Sequence, residues 1–144
     1  MRDHALAGDP YVAEYPELLP FWEAAGQGTL VLPRCLSCGQ THWHPRMHCP
    51  WCRSGRITWE KATGRGTLHT FTVIHRRDAP DDLLAYVALA EGPLMLTRIV
   101  DADAEALRIG MPVFVRFMPT PEGRHAPFFA PLAADPQAAA PPVR

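Results

Sequence analysis

Lysine is nearly missing from this chain of 144 residues: Lys61 stands alone against 13 arginines. Acidic side chains balance them, and the formal net charge is -1. A chain so close to neutral lacks the broad positive field that gathers nucleic acid, which leaves only a local patch for such a role. No run approaches the roughly 18 apolar residues that span a bilayer. Behind Met1-Arg2-Asp3-His4 there is no apolar stretch, so no signal peptide is read and a cytoplasmic protein is expected. A G-x-S-x-G elbow and a glycine-rich phosphate loop are both missing. Cysteine is confined to four positions within 18 residues, and no thiol is left over to act as a nucleophile. No residue is singled out as catalytic. What is there in quantity is apolar: 47% hydrophobic against 20% charged residues, the balance of a soluble globular fold. Arginine in place of lysine offers a planar fork for phosphate or carboxylate rather than a point charge.

Along the chain, proline and glycine mark the boundaries. Residues 1–15 have no clear periodicity, and Pro16 and Pro20 rule against one continuous helix. Pro20 suits the first turn of a short helix over Phe21 to Ala25, ended by Gly26 or Gly28. Thr29 to Leu32 reads as a strand leading into the cysteine region, and Ile57 to Glu60 as a strand leaving it. Gly64-Arg65-Gly66 is a turn or bulge. Short strands follow at Thr67 to His75, Leu84 to Ala90, Leu94 to Val100, Val113 to Met118 and Phe128-Phe129. A short helix is expected over Asp101 to Leu107. Five strands with a helix between the third and fourth match an OB-type barrel. The expected organisation is mainly β: a helical segment over 1–28, a zinc ribbon over 29–62, a five-stranded OB-fold over 63–131 and a disordered Ala/Pro-rich tail over 132–144.

Cys35-Leu36-Ser37-Cys38 and Cys49-Pro50-Trp51-Cys52 form two C-x-x-C knuckles. Two knuckles set four thiolates at the corners of a tetrahedron, about 2.3 Å from a zinc ion. Thiolates select zinc or iron over magnesium or calcium. A redox dithiol would need one pair only, and disulfides suit a secreted chain. His42, His44 and His48 lie in the same loop, but four cysteines already complete the sphere. The closed sphere points to one structural zinc and away from hydrolysis at the metal. Further along, His75-Arg76-Arg77 ends the first barrel strand, where paired guanidiniums can hold phosphates.

The order of these pieces resembles the bacterial and archaeal family that joins a rubredoxin-like zinc ribbon to an OB-fold. That family has long been labelled a domain of unknown function and is associated with acyl-CoA. The matching stretches are Phe21-Trp22-Glu23, Leu32-Pro33-Arg34-Cys35 through Gly39, and His44-Pro45-Arg46 through Cys52. They continue with Gly64-Arg65-Gly66-Thr67 to Val73, Tyr86-Val87-Ala88-Leu89 and Arg108-Ile109-Gly110-Met111-Pro112-Val113. Arg53 departs from the pattern, standing where a glycine often follows the second knuckle. The resemblance implies an accessory subunit that partners a thiolase-like acyltransferase or aldolase, with some relatives partnering hydratases. It implies help in binding or channelling the acyl-CoA, including in steroid side-chain breakdown, and a hetero-oligomer of two plus two. Phe21, Trp22, Trp43 and Trp51 are the aromatic side chains expected at the partner interface. The competing readings are a single-stranded nucleic-acid-binding ribbon/OB module and an iron-bearing electron carrier.

Overall fold

Proline and glycine cut the first 26 residues into short helical pieces. In the computed structural model, which describes residues 4–132, these are α1 (His4–Ala7), α2 (Pro10–Glu14), a 3-10 turn (Pro16–Leu18) and α3 (Leu19–Gly26). Pro10 and Pro20 each sit in the first turn of a helix, where the missing N–H costs nothing. No helix among the described residues is long and apolar enough to cross a membrane. Individually these helices are too short to persist, so burial must hold them. Leu6, Val12, Leu18, Phe21, Trp22 and Ala25 supply it, all buried against the rest of the chain.

β1 (Val31–Cys35) and β2 (Ile57–Lys61) pair antiparallel and carry the cysteine loop between them. The remaining strands are β3 (Arg65–Ile74), β4 (Asp82–Leu89), β5 (Leu94–Arg98), β6 (Pro112–Pro119) and β7 (His125–Pro131). They form one curled sheet in the order β5-β4-β3-β6-β7. Its two edges meet through a parallel bridge between Ile99 and Phe129, backed by Val100 N–H donating to the Phe129 carbonyl at 2.8 Å. Leu68, Val87, Met95, Val113 and Phe129, one from each strand, are fully buried and fill the interior of the curl.

The Gly64-Arg65-Gly66 segment opens β3, where the strand lies between β4 and β6. Gly64 lies at φ +76, and a Cβ there would stand 2.7 Å from Val115. A Cβ on Gly66 would stand 2.6 Å from Val87 and 2.7 Å from the Ala88 carbonyl. Only glycine lets three strands approach this closely.

Two expectations need correcting. The helix expected over 101–107 is one 3-10 turn (Ala104–Ala106). Asp101 takes φ +58 to reverse the chain, and Asp103 makes no side-chain cap. Buried Leu107 then leaves the turn in extended backbone. The last strand is seven residues rather than two, because it pairs with β6 along its whole length. The expected disordered tail falls, but for Leu132, outside the described residues.

Candidate metal centre and the adjoining groove

The two knuckles share one backbone design. Cys35 N–H donates to the Gln40 carbonyl and Gly39 N–H to the Cys35 carbonyl, both at 2.9 Å. Likewise Cys49 N–H donates to the Ser54 carbonyl and Arg53 N–H to the Cys49 carbonyl, also at 2.9 Å. Both turns end in left-handed backbone, Gly39 at φ +79 and Arg53 at φ +66. A side chain in that region costs about 1–2 kcal/mol relative to ordinary helical backbone. The departure from glycine at Arg53 is therefore a small strain rather than a broken turn. Arg53→Gly relieves the strain but gains freedom in the unfolded chain, so the expected net effect is a stabilisation of about 0.5 kcal/mol. A urea titration of the zinc-loaded protein measures it, and an unchanged or lowered midpoint contradicts the strain argument.

Four sulfurs converge between the knuckles. Cys35 and Cys52 Sγ are 3.5 Å apart, Cys38 and Cys49 Sγ 3.6 Å, and all four ligand atoms lie within 4.8 Å of one another. A tetrahedral zinc with bonds of about 2.3 Å needs sulfur edges of about 3.8 Å. The donor set fits that ion. Electrostatics points the same way. The Cys38 amide, donating to Cys35 Sγ at 3.4 Å, is the main influence that pulls the Cys35 thiol down to about 6, against the effect of burial. Cys52 accepts from the Ser54 amide, yet Cys35, burial and the other two sulfurs push its thiol up to about 12. Sulfurs this close cannot all ionise unless a cation lies among them. Ser37 and Ser54 hydroxyls, 2.8 Å apart, tie the knuckles together outside the cluster.

The loop histidines stand apart from the sulfurs. Among the described residues the group able to share an ion is the four cysteines alone. His42 is buried edge-on to Trp51, and burial holds its imidazole below its usual value.

Of the aromatic residues expected at an interface, two turn inward. Phe21 is 2% exposed and packs against Trp22, Trp43 and Trp59, with ring centroids 4.9, 5.2 and 6.3 Å away. Trp22 is 8% exposed, and its ring lies 5.2 Å from the Arg124 guanidinium. Burying such a ring contributes about 1.5–3 kcal/mol. Phe21 and Trp22 thus join the helical segment to the ribbon and to the β6–β7 hairpin, and neither is an exposed anchor. Trp43 is half-buried, while Trp51 is 55% exposed at the tip of the second knuckle.

His75-Arg76-Arg77 lies in the exposed β3–β4 loop, and two of the three are engaged. His75 Nδ1 is 2.9 Å from an Asp81 carboxylate oxygen, and Arg76 pairs with Asp82. Arg98, on β5, lies 3.6 Å from the same Asp82. Two guanidiniums therefore share one carboxylate.

Arg98 also lines a groove of about 660 Å³ that the sequence reading missed. It opens along the seam where β5 and β7 part. Leu84, Tyr86, Leu94 and Leu96 form one side, and Pro127 and Phe128 another. Trp22, Trp43 and Pro45 close it from the helical segment and the ribbon. The signal was present in β4 and β5, which are apolar at inward and outward positions alike. Leu94 and Leu96 face outward at 43% and 52% exposure, while Met95 between them is fully buried.

A family model described as the ChsH2 rubredoxin-like zinc ribbon domain matches residues 22–58. A second, described as the ChsH2 C-terminal OB-fold domain, matches residues 59–118. A probable enoyl-CoA hydratase alpha subunit of Thermomonospora curvata is 32% identical over 118 residues, 77% of this chain and 36% of the relative. A DUF35 domain-containing scaffold protein of Methanothermobacter thermautotrophicus is 34% identical over 83 residues, 54% of this chain and 62% of the relative. The chain thus spans less than two thirds of either of these relatives. A solved chain described as Ltp2-ChsH2(DUF35) aldolase superposes with a TM-score of 0.70 at 31% identity, over 79% of this chain and 93% of that one. With the sulfur cluster, the ribbon and the curled sheet all in the family's order, the chain belongs to the ChsH2-type DUF35 family, which joins a rubredoxin-like zinc ribbon to an OB-fold domain.

Proposed function

We propose that the chain is a non-catalytic accessory subunit that docks on a thiolase-like aldolase or acyltransferase and helps bind or channel its acyl-CoA substrate. The observation that carries this is the likeness to the Ltp2-ChsH2(DUF35) aldolase chain, 93% of which this chain covers. The name of a Mycobacterium tuberculosis relative, 3-oxo-4,17-pregnadiene-20-carboxyl-CoA hydratase alpha subunit, supports a steroid or similar bulky acyl group as the cargo. In this reading one zinc, held by Cys35, Cys38, Cys49 and Cys52, is structural. Its tetrahedron is complete, so it offers substrate no open position. The exposed knuckle side chains Trp51 and Leu36, each 55% exposed, are apolar groups on a rigid tip of the kind interfaces use. In this reading the chain works in the cytoplasm.

Co-expression with a thiolase-fold partner encoded beside it is expected to give one peak in size-exclusion chromatography holding both chains, in the proportion two to two. Trp51→Ala is expected to weaken that complex about tenfold or more while zinc content is kept. Separate elution of the two chains at micromolar concentration contradicts the partnership. Salt-dependent retention of single-stranded DNA would favour the nucleic-acid reading instead.

A further inference from the structure

We propose that the tip of the zinc ribbon docks on an acidic protein face: Trp51 and Leu36 enter an apolar recess of the partner subunit, and Arg46, Arg53 and Arg56 meet carboxylates at its rim. The proposal rests on the reading of the chain as a docking subunit. It names the surface used and the chemistry that surface recognises.

Three observations carry it. The first is apolar surface on a fixed frame. Leu36 and Trp51 are each 55% exposed and Met47 38%, all in the loop between β1 and β2. One exposed apolar side chain is ordinary on a protein surface, but several in one short loop point to an interaction. The knuckles hold the backbone beneath them. Leu36 N–H donates to the Arg56 carbonyl at 2.8 Å, and the Ser37 and Ser54 hydroxyls clasp the two turns together. Side chains presented on a preformed frame lose little freedom on binding. The second observation is charge. From Leu36 to Arg56 the chain carries Arg46, Arg53 and Arg56 and no Asp or Glu. All three are exposed, and none makes an ion pair among the described residues. In the curled sheet, by contrast, Arg116 and Arg124 both meet aspartates.

Four thiolates around one zinc are themselves an anionic group, and arginines beside it could serve only to balance it. The sulfurs, however, are served by backbone amides, those of Cys38, Gln40, Trp51, Cys52 and Ser54, and by no guanidinium. The arginine forks are thus left facing solvent, and their planar geometry matches carboxylates. The third observation is that cation and ring lie together. Trp51 is 6.3 Å from the His42 ring, and His42, held down by burial, also feels the Arg46 charge. On the other side of Trp51, Arg53 follows the last cysteine of the knuckle. Tryptophan, methionine and arginine are the types enriched at protein interfaces. A single strand of nucleic acid needs a file of rings for successive bases. Trp51 is the one exposed tryptophan, so a protein face suits the tip better.

The test uses the zinc-loaded full chain and the thiolase-fold partner encoded beside it. Surface plasmon resonance follows association and dissociation from about 50 to about 500 mM NaCl. Wild-type association is expected to slow about tenfold across that range. The double variant Arg46→Glu with Arg56→Glu is expected to associate about tenfold more slowly at the lowest salt and to lose most of the salt dependence. Arg46→Lys with Arg56→Lys keeps the charge and is expected to keep the association rate. Arg53 is left in place, because its left-handed backbone would add a folding effect. Trp51→Ala is expected to raise the dissociation rate about tenfold. Arg77→Glu, on the exposed β3–β4 loop, is the control and is expected to change association by less than about twofold. Elemental analysis near one zinc per chain in each variant separates these effects from a lost ribbon. A complex whose rates ignore both salt and the charge reversal overturns the proposal and leaves the partnership standing. No complex between the wild-type chains removes both. Salt-dependent capture of single-stranded DNA that the double reversal abolishes, with partner rates unaltered, assigns the tip to nucleic acid and overturns the proposal as well.

Discussion

Cys49→Ala is expected to lose zinc and loosen the ribbon, with the largest effect of any single substitution in this chain. A two-stranded sheet with a 21-residue loop has too little core to fold by itself, so metal binding is its folding energy. Apparent free energies for structural zinc in small fingers are about 10–16 kcal/mol, and a missing corner forfeits much of that. Cys49 is fully inside the cluster, 3.6 Å from Cys38, so water cannot replace its sulfur without opening the loop. The loosening should spread. Phe21 is wedged between Trp43 and Trp59 of the ribbon, so a mobile ribbon frees the α3 ring as well. The curled sheet, whose interior residues come from its own five strands, should persist. Elemental analysis is expected to fall from near one zinc per chain to well below half. Tryptophan emission should shift red while the far-ultraviolet strand signal is retained. Full zinc content with unchanged emission would show that the fourth thiolate is dispensable.

Asp9→Ala is expected to cost about 3 kcal/mol, or roughly 10 °C in Tm. Asp9 is fully buried and performs two tasks at once. Its carboxylate accepts from the Tyr11 and Val12 amides at 2.9 and 3.3 Å, capping α2. A lost cap alone costs about 1 kcal/mol. Its other oxygen accepts from Arg124 Nε at 2.6 Å, and that guanidinium stands 4.6 Å from the Tyr11 ring centroid. Removing the carboxylate strands a largely buried cation, which accounts for the rest. Burial opposes ionisation of Asp9, but the Arg124 hydrogen bond and the two amides outweigh it and hold the carboxyl below its usual 3.8. A carboxyl with a depressed folded pKa contributes stability that is fully present above the unfolded value. That stability is lost as pH falls through the lower, folded value. Wild-type Tm should therefore decline below about pH 4, and the decline should be shallower in Asp9→Asn. Thermal melts from pH 7 to pH 2.5 measure both effects. Parallel curves for wild type and Asp9→Asn would show that the pair does not carry this acid sensitivity.

Which features could be read before the structure follows from the range of the interactions that build them. The metal ligands were legible because a knuckle is local chemistry. Spacing within C-x-x-C fixes the turn, and the glycine expected after it marks a left-handed position that Gly39 and Arg53 both occupy. The strands were legible from short β-rich runs between Gly and Pro, since side-chain alternation is a property of consecutive residues. The direction in which Phe21 and Trp22 point was not. Both are large and apolar whether they dock on a partner or on the home chain, and the choice was made by Trp43, Trp59 and Arg124. Asp9 gave no signal as a structural residue, because its partner lies 115 positions away. His75-Arg76-Arg77 looked like three available donors until Asp81 and Asp82 were placed opposite two of them. The groove is the extreme case. Its walls come from α3, the ribbon loop and the seam between β5 and β7, elements joined only where the sheet curls. By itself the sequence determined the four-cysteine ligand set and where most strands lie along the chain, through patterns a few residues long. Only the tertiary structure decided which aromatic rings are core and where an apolar trough opens, because those depend on chain-distant side chains meeting in space.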